Sequence, residues 1–231
     1  IPRGTADVHR GGGMLAVMHQ TADAFAALRA LAADPRIDAR RIAILGMSAG
    51  GGAAILSASA PAYRNLAGGQ APRFAAHVAF YPGMHIAPSA ETLTGAPMLI
   101  MVGENDDYQK PRRTALWVEH VKRTAPAAPV ELRLVAGAPH SFLNSDLPGS
   151  RWVQDFRNPS NCPIWIAAPA QSPVLLLPDG SVRDNMAREE IQAALKSCLT
   201  TGGSLGYRRA AAERALADTV AFLRKAFAAV Q

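Results

Sequence analysis

Apolar runs alternate with helix-compatible segments along the first two thirds of the chain. The runs are short and rich in branched residues, which is typical of strands buried on both faces; they lie at 41–45, 74–82, 97–103 and 130–137. Helical spacing or small helix-compatible residues occur between them, at 14–33, 49–60 and 112–124. This alternation predicts an α/β fold with a mostly parallel sheet flanked by helices.

The last segment of the chain also has helical spacing. Leu216, Val220, Leu223 and Phe227 recur at intervals of four, three and four residues. Such spacing predicts an amphipathic helix whose apolar stripe packs on the sheet.

Between 143 and 205 the regular pattern is lost. This stretch is rich in Pro, Asn, Ser and Gly, with a helix predicted only at 184–196. Loops of this length inside a compact domain are usually functional or disordered. We therefore expect a single domain over 1–231, with 143–205 as a loop-rich, lid-like insertion.

A serine stands between two glycines where the first apolar run ends. The sequence from 41 to 56 reads RIAILGMSAGGGAAIL, so Ser48 follows a predicted strand and precedes a predicted helix. The segment is either a glycine-rich turn without chemistry or a strained elbow that presents Ser48 as a nucleophile. In an elbow, the N–H of the next residue, Ala49, would bind the oxyanion.

An acid and a histidine follow the serine in chain order, each just beyond a predicted strand. Asp106 follows the run at 97–103, and His140 follows the run at 130–137. Because the carboxyl ends of parallel strands share one edge of a sheet, we expect Ser48, Asp106 and His140 to converge there. Asp107 is an adjacent candidate for the acid, and His85 is either a pocket residue or a structural one.

Composition and charge indicate which broad class of protein the chain belongs to. The chain has 231 residues, 49% of them hydrophobic and 18% charged, which is typical of a globular domain with a sizeable core and no membrane insertion. The formal charge of +6 comes from scattered basic residues, so we expect no nucleic-acid partner.

The two cysteines, Cys162 and Cys198, both lie in the insertion. They lack the spacing and the neighbouring histidines of a zinc site, so no metal is expected. They form either a disulfide, which would indicate an oxidising compartment, or two buried thiols.

Several blocks of the chain resemble the dienelactone-hydrolase-like branch of the α/β-hydrolases. They include PRIDARRIAILGMSAGG, VAFYPG, PMLIMVGENDDYQKP, AGAPHSF and YRRAAAERALADTVAFL, and they occur in the family's order. The resemblance implies an α/β-hydrolase fold, with Ser48 as nucleophile, Asp106 as acid, His140 as base, and Met47 and Met84 near the pocket. It also implies catalysis without a cofactor.

Two features depart from the family's pattern. Dienelactone hydrolase itself uses a cysteine where this chain has Ser48, so a serine carboxylesterase is the better expectation than a dienelactone-cleaving enzyme. Only 47 residues precede Ser48, and they contain no clear strand. The first strands of the sheet, with a second oxyanion donor, are therefore expected on sequence upstream of the given chain.

The sequence predicts a serine hydrolase that cleaves small-molecule carboxylic esters. A peptidase or amidase of the same fold and a non-catalytic binding module are the alternatives, because the triad alone does not separate ester from amide. Trp152, Phe156 and Trp165 either line an apolar part of the pocket or anchor the insertion to the core. The possible disulfide and the non-Met first residue favour a secreted or periplasmic protein over a cytoplasmic one; the oligomeric state is not predicted.

Overall fold

The computed structural model describes residues 12–68, 72–147, 149–167 and 174–229. The helices are α1 (Gly12–Ala32), α2 (Ala49–Leu56), α3 (Ala60–Ala67), α4 (Pro111–Thr124), α5 (Arg188–Cys198) and α6 (Arg209–Ala228). The strands are β1 (Ala43–Met47), β2 (Ala76–Phe80), β3 (Ile86–Pro88), β4 (Met98–Gly103), β5 (Val130–Val135), β6 (Ser150–Asn158), β7 (Ile164–Ala167), β8 (Val174–Leu176), β9 (Val182–Arg183) and β10 (Thr200–Gly206). Two 3₁₀ turns complete the set, at Ala39–Arg41 and Ala90–Thr92.

The main sheet is parallel and has the order β1-β2-β4-β5. Helices α2 and α4 cover one face, where Ile55, Ile100 and Trp117 belong to one buried cluster. Helix α6 covers the other face, where Phe80 and Met101 are fully buried. The predicted α/β architecture, a parallel sheet flanked by helices, is confirmed.

The region predicted as one helix at 49–60 forms two. Helix α2 ends at Leu56, and the Ser59 side chain accepts a hydrogen bond from the Ala62 N–H to cap α3. Serine is a favoured N-cap residue, and proline at the first or second helical position suits a helix start. Helix α3 then packs with α1 around Phe25, Tyr63 and Phe74.

The predicted apolar face of the last helix is wrong in part. Leu216 and Val220 are exposed, whereas Ala212, Ala215 and Thr219 form the buried face of α6. The small side chains on this buried face let α6 lie close to the sheet. The larger residues Leu216 and Val220, which the sequence spacing had placed on the buried face, therefore point away from the sheet.

The insertion is more regular than its composition predicts. Strand β7 pairs in parallel with β3 from outside the insertion and continues into β8 and β9, while β6 and β10 form a separate antiparallel ribbon. The pairings of β3 with β7 and of β6 with β10 join segments far apart in the sequence, which no local pattern reveals, whereas β8 pairs with its chain neighbours β7 and β9. Ile164, Ile166 and Leu176 of the insertion belong to the same buried cluster as α2 and α4.

A disulfide joins Cys162, before β7, to Cys198, the last residue of α5. Of the two states that the sequence left open, the structure therefore has the disulfide. It closes a segment whose ends are 36 residues apart.

Candidate active site

Ser48 lies in a strained turn between β1 and α2. Its φ of 52° and ψ of −116° are rarely adopted by a residue with a side chain. Backbone hydrogen bonds hold this conformation: the Ser48 N–H donates to Phe80 O at 3.0 Å, and the Ser48 carbonyl accepts from Gly52 N–H at 3.0 Å and Gly83 N–H at 2.7 Å. Of the two interpretations of the glycine-rich segment, the backbone has the geometry of the elbow.

The structure brings Ser48, His140 and Asp106 together. The Nε2 atom of His140 lies 3.1 Å from Ser48 Oγ, and its Nδ1 atom lies 2.8 Å from Asp106 Oδ2. Both His140 and Asp106 are 2% exposed. With the ring proton on Nδ1, His140 donates to the carboxylate and accepts from the serine hydroxyl. This arrangement allows the imidazole to take the hydroxyl proton.

The second oxygen of Asp106 is also fully engaged. Oδ1 accepts the backbone N–H groups of Tyr108 at 3.0 Å and Gln109 at 2.7 Å. The alternative acid, Asp107, is directed elsewhere: its Oδ1 accepts the Ser204 N–H of β10 at 2.7 Å. Of the two adjacent carboxylates, Asp106 is the one hydrogen-bonded to His140.

Two tyrosine rings fix the plane of the His140 imidazole. The rings of Tyr81 and Tyr108 each meet it edge to face, with centroids 4.9 Å away. Burial, and secondarily the charge of Asp106, raises the pKa of Tyr81 to about 12 and shifts the pKa of Tyr108 in the same direction. Both phenols are therefore neutral at pH 7.

A cavity of about 740 Å³ opens beside Ser48 and His140. Ala49 lines it, and as the first residue of α2 it has an N–H that no carbonyl of its own helix accepts. The start of α1 contributes Gly13 and Met14, and the insertion contributes Phe156 and Trp165 among others. The cavity thus lies between the main sheet, α1 and the insertion.

The cavity wall is positively charged. Among its described lining residues are Arg113 and Arg157, and none is Asp or Glu. Arg113 is 4% exposed, and its guanidinium donates to the carbonyls of Cys162 and Pro163 and to Gln109 Oε1. Burial lowers the pKa of Arg113 only to about 10, so it keeps its charge at pH 7.

His85 lines the same cavity and is neutral. Burial, and then the charge of Arg113, lowers the pKa of His85 to about 4. The ring packs directly on Gly13, where a Cβ would overlap it. Of the two roles left open for His85, its position is that of a pocket residue.

Three residues predicted near the pocket do not line it. Met47 is about half exposed on the face of β1 that it shares with Leu45, because side chains alternate along a strand. Met84 is buried in the core cluster beside α2 and α4. Trp152 is exposed and packs over Gly202 of β10. Of the three aromatic residues that the sequence offered for the pocket, Phe156 and Trp165 line the cavity.

The sequence analysis missed Arg113 and Tyr108. A signal for Arg113 was present, because it precedes Trp117 and Val121 at intervals of four and so falls on the buried face of α4. No such signal marked Tyr108, whose ring is placed by contacts with His140 and with Phe156 of the insertion.

The part of the chain that the structure describes contains no group of three or more His, Cys, Asp and Glu side chains arranged to hold a metal ion. Within the same ranges, no helix has both the length and the hydropathy that crossing a bilayer requires.

Comparison with solved structures finds two similar chains, both esterases of Thermogutta terrifontis. The apo form of esterase 2 is 24% identical, with a TM-score of 0.43 over 56% of this chain and 57% of that one. The propionate-bound structure of the thermophilic esterase Est2 is 24% identical, with a TM-score of 0.40 over 54% and 56%. The chain thus spans little more than half the length of either.

A comparison with protein-family models matches a longer part of the chain than either solved structure does. No curated protein matches the chain. The family model of the dienelactone hydrolase family matches residues 7–156. Since this match covers well over half of the 231 residues, the chain belongs to the dienelactone hydrolase family, which has the α/β-hydrolase fold.

Proposed function

We propose that this protein is a serine hydrolase that cleaves carboxylic esters through an acyl-enzyme intermediate. The observation that carries the proposal is the hydrogen-bonded series Ser48–His140–Asp106 on a strained turn beside a cavity. Membership of the dienelactone hydrolase family supports hydrolysis as the reaction.

In the proposed first half-reaction, Ser48 Oγ attacks the ester carbonyl carbon while His140 Nε2 takes the hydroxyl proton. Asp106 keeps the imidazole in the tautomer that accepts on Nε2 and stabilises its charged form. The carbonyl oxygen becomes an oxyanion, to which Ala49 donates its N–H. One such donor typically contributes about 3 kcal/mol to transition-state stabilisation.

When the tetrahedral intermediate collapses, the imidazolium returns its proton to the leaving alkoxide and the alcohol departs. In the second half-reaction, His140 takes a proton from water, and the resulting hydroxide attacks the acyl group on Ser48. The carboxylic acid then leaves, and Ser48 recovers its proton from His140. All of these steps use groups that belong to the chain.

The charge of the cavity supports an ester that carries an anionic group. Arg113 is buried, charged and without a carboxylate partner among the described residues. A hydrogen bond between charged partners is roughly twice as strong as a neutral one. We therefore expect an ester with a free carboxylate to be preferred over its neutral analogue by roughly tenfold in kcat/KM, equivalent to about 1.4 kcal/mol.

The insertion and the disulfide bear on two related proposals. We propose one domain over 1–231, since Ile164 and Leu176 share the core of the main sheet. We also propose that residues 143–205 close the site, since Phe156 and Trp165 line the cavity. The disulfide between Cys162 and Cys198 supports an oxidising compartment, either secreted or periplasmic.

The test of the nucleophile is covalent labelling with a fluorophosphonate probe, followed by peptide mass spectrometry, on the wild type and on Ser48→Ala. A single adduct on Ser48 that is lost in the variant is expected. Labelling at another serine contradicts the assignment of Ser48 as the nucleophile. No labelling at any serine contradicts the proposal and favours a binding module. Turnover of a 4-nitrophenyl ester set beside the matching 4-nitroanilide separates an esterase from a peptidase or amidase.

The test of the anionic subsite compares 4-nitrophenyl hemiglutarate with 4-nitrophenyl butyrate. Arg113→Lys is expected to reduce the preference for the hemiester, because an ammonium group cannot reproduce the paired donors of a guanidinium. Arg112→Lys is the matched control, since Arg112 is the adjacent residue but is exposed and paired with Glu119. Equal kcat/KM for both esters in the wild type would contradict an anionic subsite.

A further inference from the structure

The insertion is hydrogen-bonded to the loop that carries Asp106. The side-chain Nδ2 of Asn158 donates to Asp107 O at 3.1 Å and to Gly202 O at 2.7 Å, so one amide joins the acid loop to β10. Asn158 Oδ1 accepts the Ser160 N–H at 2.9 Å, and the residue is 6% exposed. A buried amide with all of these bonds made is a rigid connection.

A second bond between the same two elements comes from Asp107. Its Oδ1 accepts the Ser204 N–H at 2.7 Å, across 97 residues of sequence. A charge-assisted bond of this kind is stronger than a bond between neutral groups. Asp106 and Asp107 therefore have separate tasks: the first carboxylate bonds to His140 and the second bonds to β10.

The same strand also holds the loop that carries His140. The Gly206 N–H donates to His140 O at 3.0 Å, and Leu205 forms a parallel bridge with His140. Just beyond β10, the Arg208 N–H donates to Phe142 O at 3.2 Å. Strand β10 thus bonds to both loops that contribute to the triad.

Ring packing adds a third connection. Tyr108 meets His140 edge to face and lies against Gly203 of β10, where a Cβ would come within 3.1 Å of the Tyr108 ring. A larger residue at 203 would require Tyr108 to shift from its present position. The glycine therefore lets β10 support Tyr108 at close range.

We propose that Asp107 is a positioning residue, which together with Asn158 ties the insertion to the acid loop and so keeps Asp106 aligned with His140. The inference rests on the proposed function for its catalytic consequence. The insertion's side of this connection, at Asn158 and β10, lies beyond the residues that the family model matches. A displacement of about 1 Å at a catalytic group costs up to about a hundredfold in rate.

Two substitutions of Asp107 separate positioning from acid catalysis. Asp107→Asn keeps an oxygen that accepts the Ser204 N–H, whereas Asp107→Ala removes it. We expect Asp107→Ala to lower kcat at least tenfold with KM changed less than threefold, and Asp107→Asn to restore kcat to within about threefold of the wild type. Asp106→Asn should lose far more, because Asp106 accepts hydrogen bonds on both of its oxygens and an amide has only one oxygen.

Asn158→Ala breaks the connection from the insertion's side and is expected to behave like Asp107→Ala. Asn161→Ala is the matched control, because Asn161 is exposed and its side-chain oxygen accepts a hydrogen bond from Lys110 on the surface. If Asp107→Ala does not fold, as judged by circular dichroism, Asn158→Ala carries the same test.

A readout without substrate distinguishes failure of this inference from failure of the proposed function. An imidazole N–H bonded to a carboxylate gives a downfield proton NMR resonance, here from His140 Nδ1–H. We expect it to be broadened or lost in Asp107→Ala and Asn158→Ala and kept in Asp107→Asn and Asn161→Ala. Wild-type kcat and resonance in both alanine variants, or an Asp107→Asn variant as inactive as Asp106→Asn, would overturn the inference.

Discussion

At the scale of single residues, the two glycines that flank Ser48 meet different surroundings. A Cβ on Gly46 would overlap the carbonyl oxygen of Gly50, which belongs to the first turn of α2. A Cβ on Gly50 would meet only Gln20 Oε1, at 3.6 Å, an ordinary contact. The strand can pass this close to the helix only because residue 46 has no side chain.

The two alanine variants should therefore differ in stability. Gly46→Ala is expected to lower the free energy of unfolding by about 2 kcal/mol or more, because backbone must move to remove the overlap. Gly50→Ala is expected to leave it unchanged or raise it by up to about 1 kcal/mol, since alanine is favoured within a helix. Urea denaturation of both variants tests this; a Gly46→Ala as stable as Gly50→Ala would contradict the proposed crowding.

Some residues of the candidate site could be predicted from the sequence and others could not. Ser48, Asp106 and His140 were expected to converge because each follows a strand in a parallel sheet, and their side chains do lie within hydrogen-bonding distance of one another. Met47 and Met84 were placed wrongly, because whether a side chain faces the cavity depends on the pleat and on packing from other elements. The one signal for Arg113 in the sequence is that a cation lies on the buried face of a helix.

At the scale of elements, the disulfide connects two parts of the cavity wall. Cys162 lines the cavity, and Leu199, which follows Cys198, lines it too. Arg113 donates to the carbonyl of Cys162, so the same segment is also held by α4. The insertion is therefore cross-linked internally by a covalent bond and held to the rest of the fold by a buried cation and the contacts of β10.

Removing the disulfide should destabilise the folded chain. Closing a loop with ends 36 residues apart restricts the unfolded state, and the chain-entropy relation gives about 3 to 4 kcal/mol for this length. The double variant Cys162→Ala/Cys198→Ala is expected to lose about that much in urea denaturation. The wild type should approach it when a reductant is added, while the double variant should not respond; a wild type insensitive to full reduction would contradict this account.

At the scale of the whole molecule, two histidines, one fully buried and one partly buried, link stability to pH. His77 is 1% exposed in β2, with Nδ1 3.0 Å from Ala54 O, and its Nε2 has no hydrogen-bond partner among the described residues. Burial outweighs the hydrogen bond to Ala54 and lowers the pKa of His77 from 6.5 to about 4. His85 has its pKa lowered to about the same value.

Because the unfolded state binds protons at the ordinary pKa, it holds more protons than the folded state between pH 6.5 and about 4. These histidines therefore leave stability intact above pH 6.5 and reduce it as the pH falls through that range. The expected slope is up to about 1.4 kcal/mol per pH unit for each histidine. Urea denaturation between pH 7.5 and 4.5 measures it.

A His77→Asn variant provides the comparison for this pH dependence. Asparagine does not titrate, so the variant should lose stability less steeply on acidification, even if it is less stable at pH 7. His120→Asn is the comparison: burial also lowers the pKa of His120, but this residue of α4 is less deeply buried, so its replacement should reduce the pH dependence less than His77→Asn does. The same steepness in His77→Asn as in the wild type would show that His77 does not contribute to the pH dependence.

The sequence by itself determined the parallel α/β architecture, the turn at Ser48 and the places of Asp106 and His140 just beyond two of the strands. Strand and helix periods, and the glycines of the turn, are local properties that each segment carries with it. Tertiary structure alone decided the pairing of β6 with β10, the buried face of α6, the charged wall at Arg113 and the bonds from Asn158 and Asp107 to β10. Each of these depends on which distant segments come into contact, and that is set by the packing of the whole chain and not by the pattern of any one part.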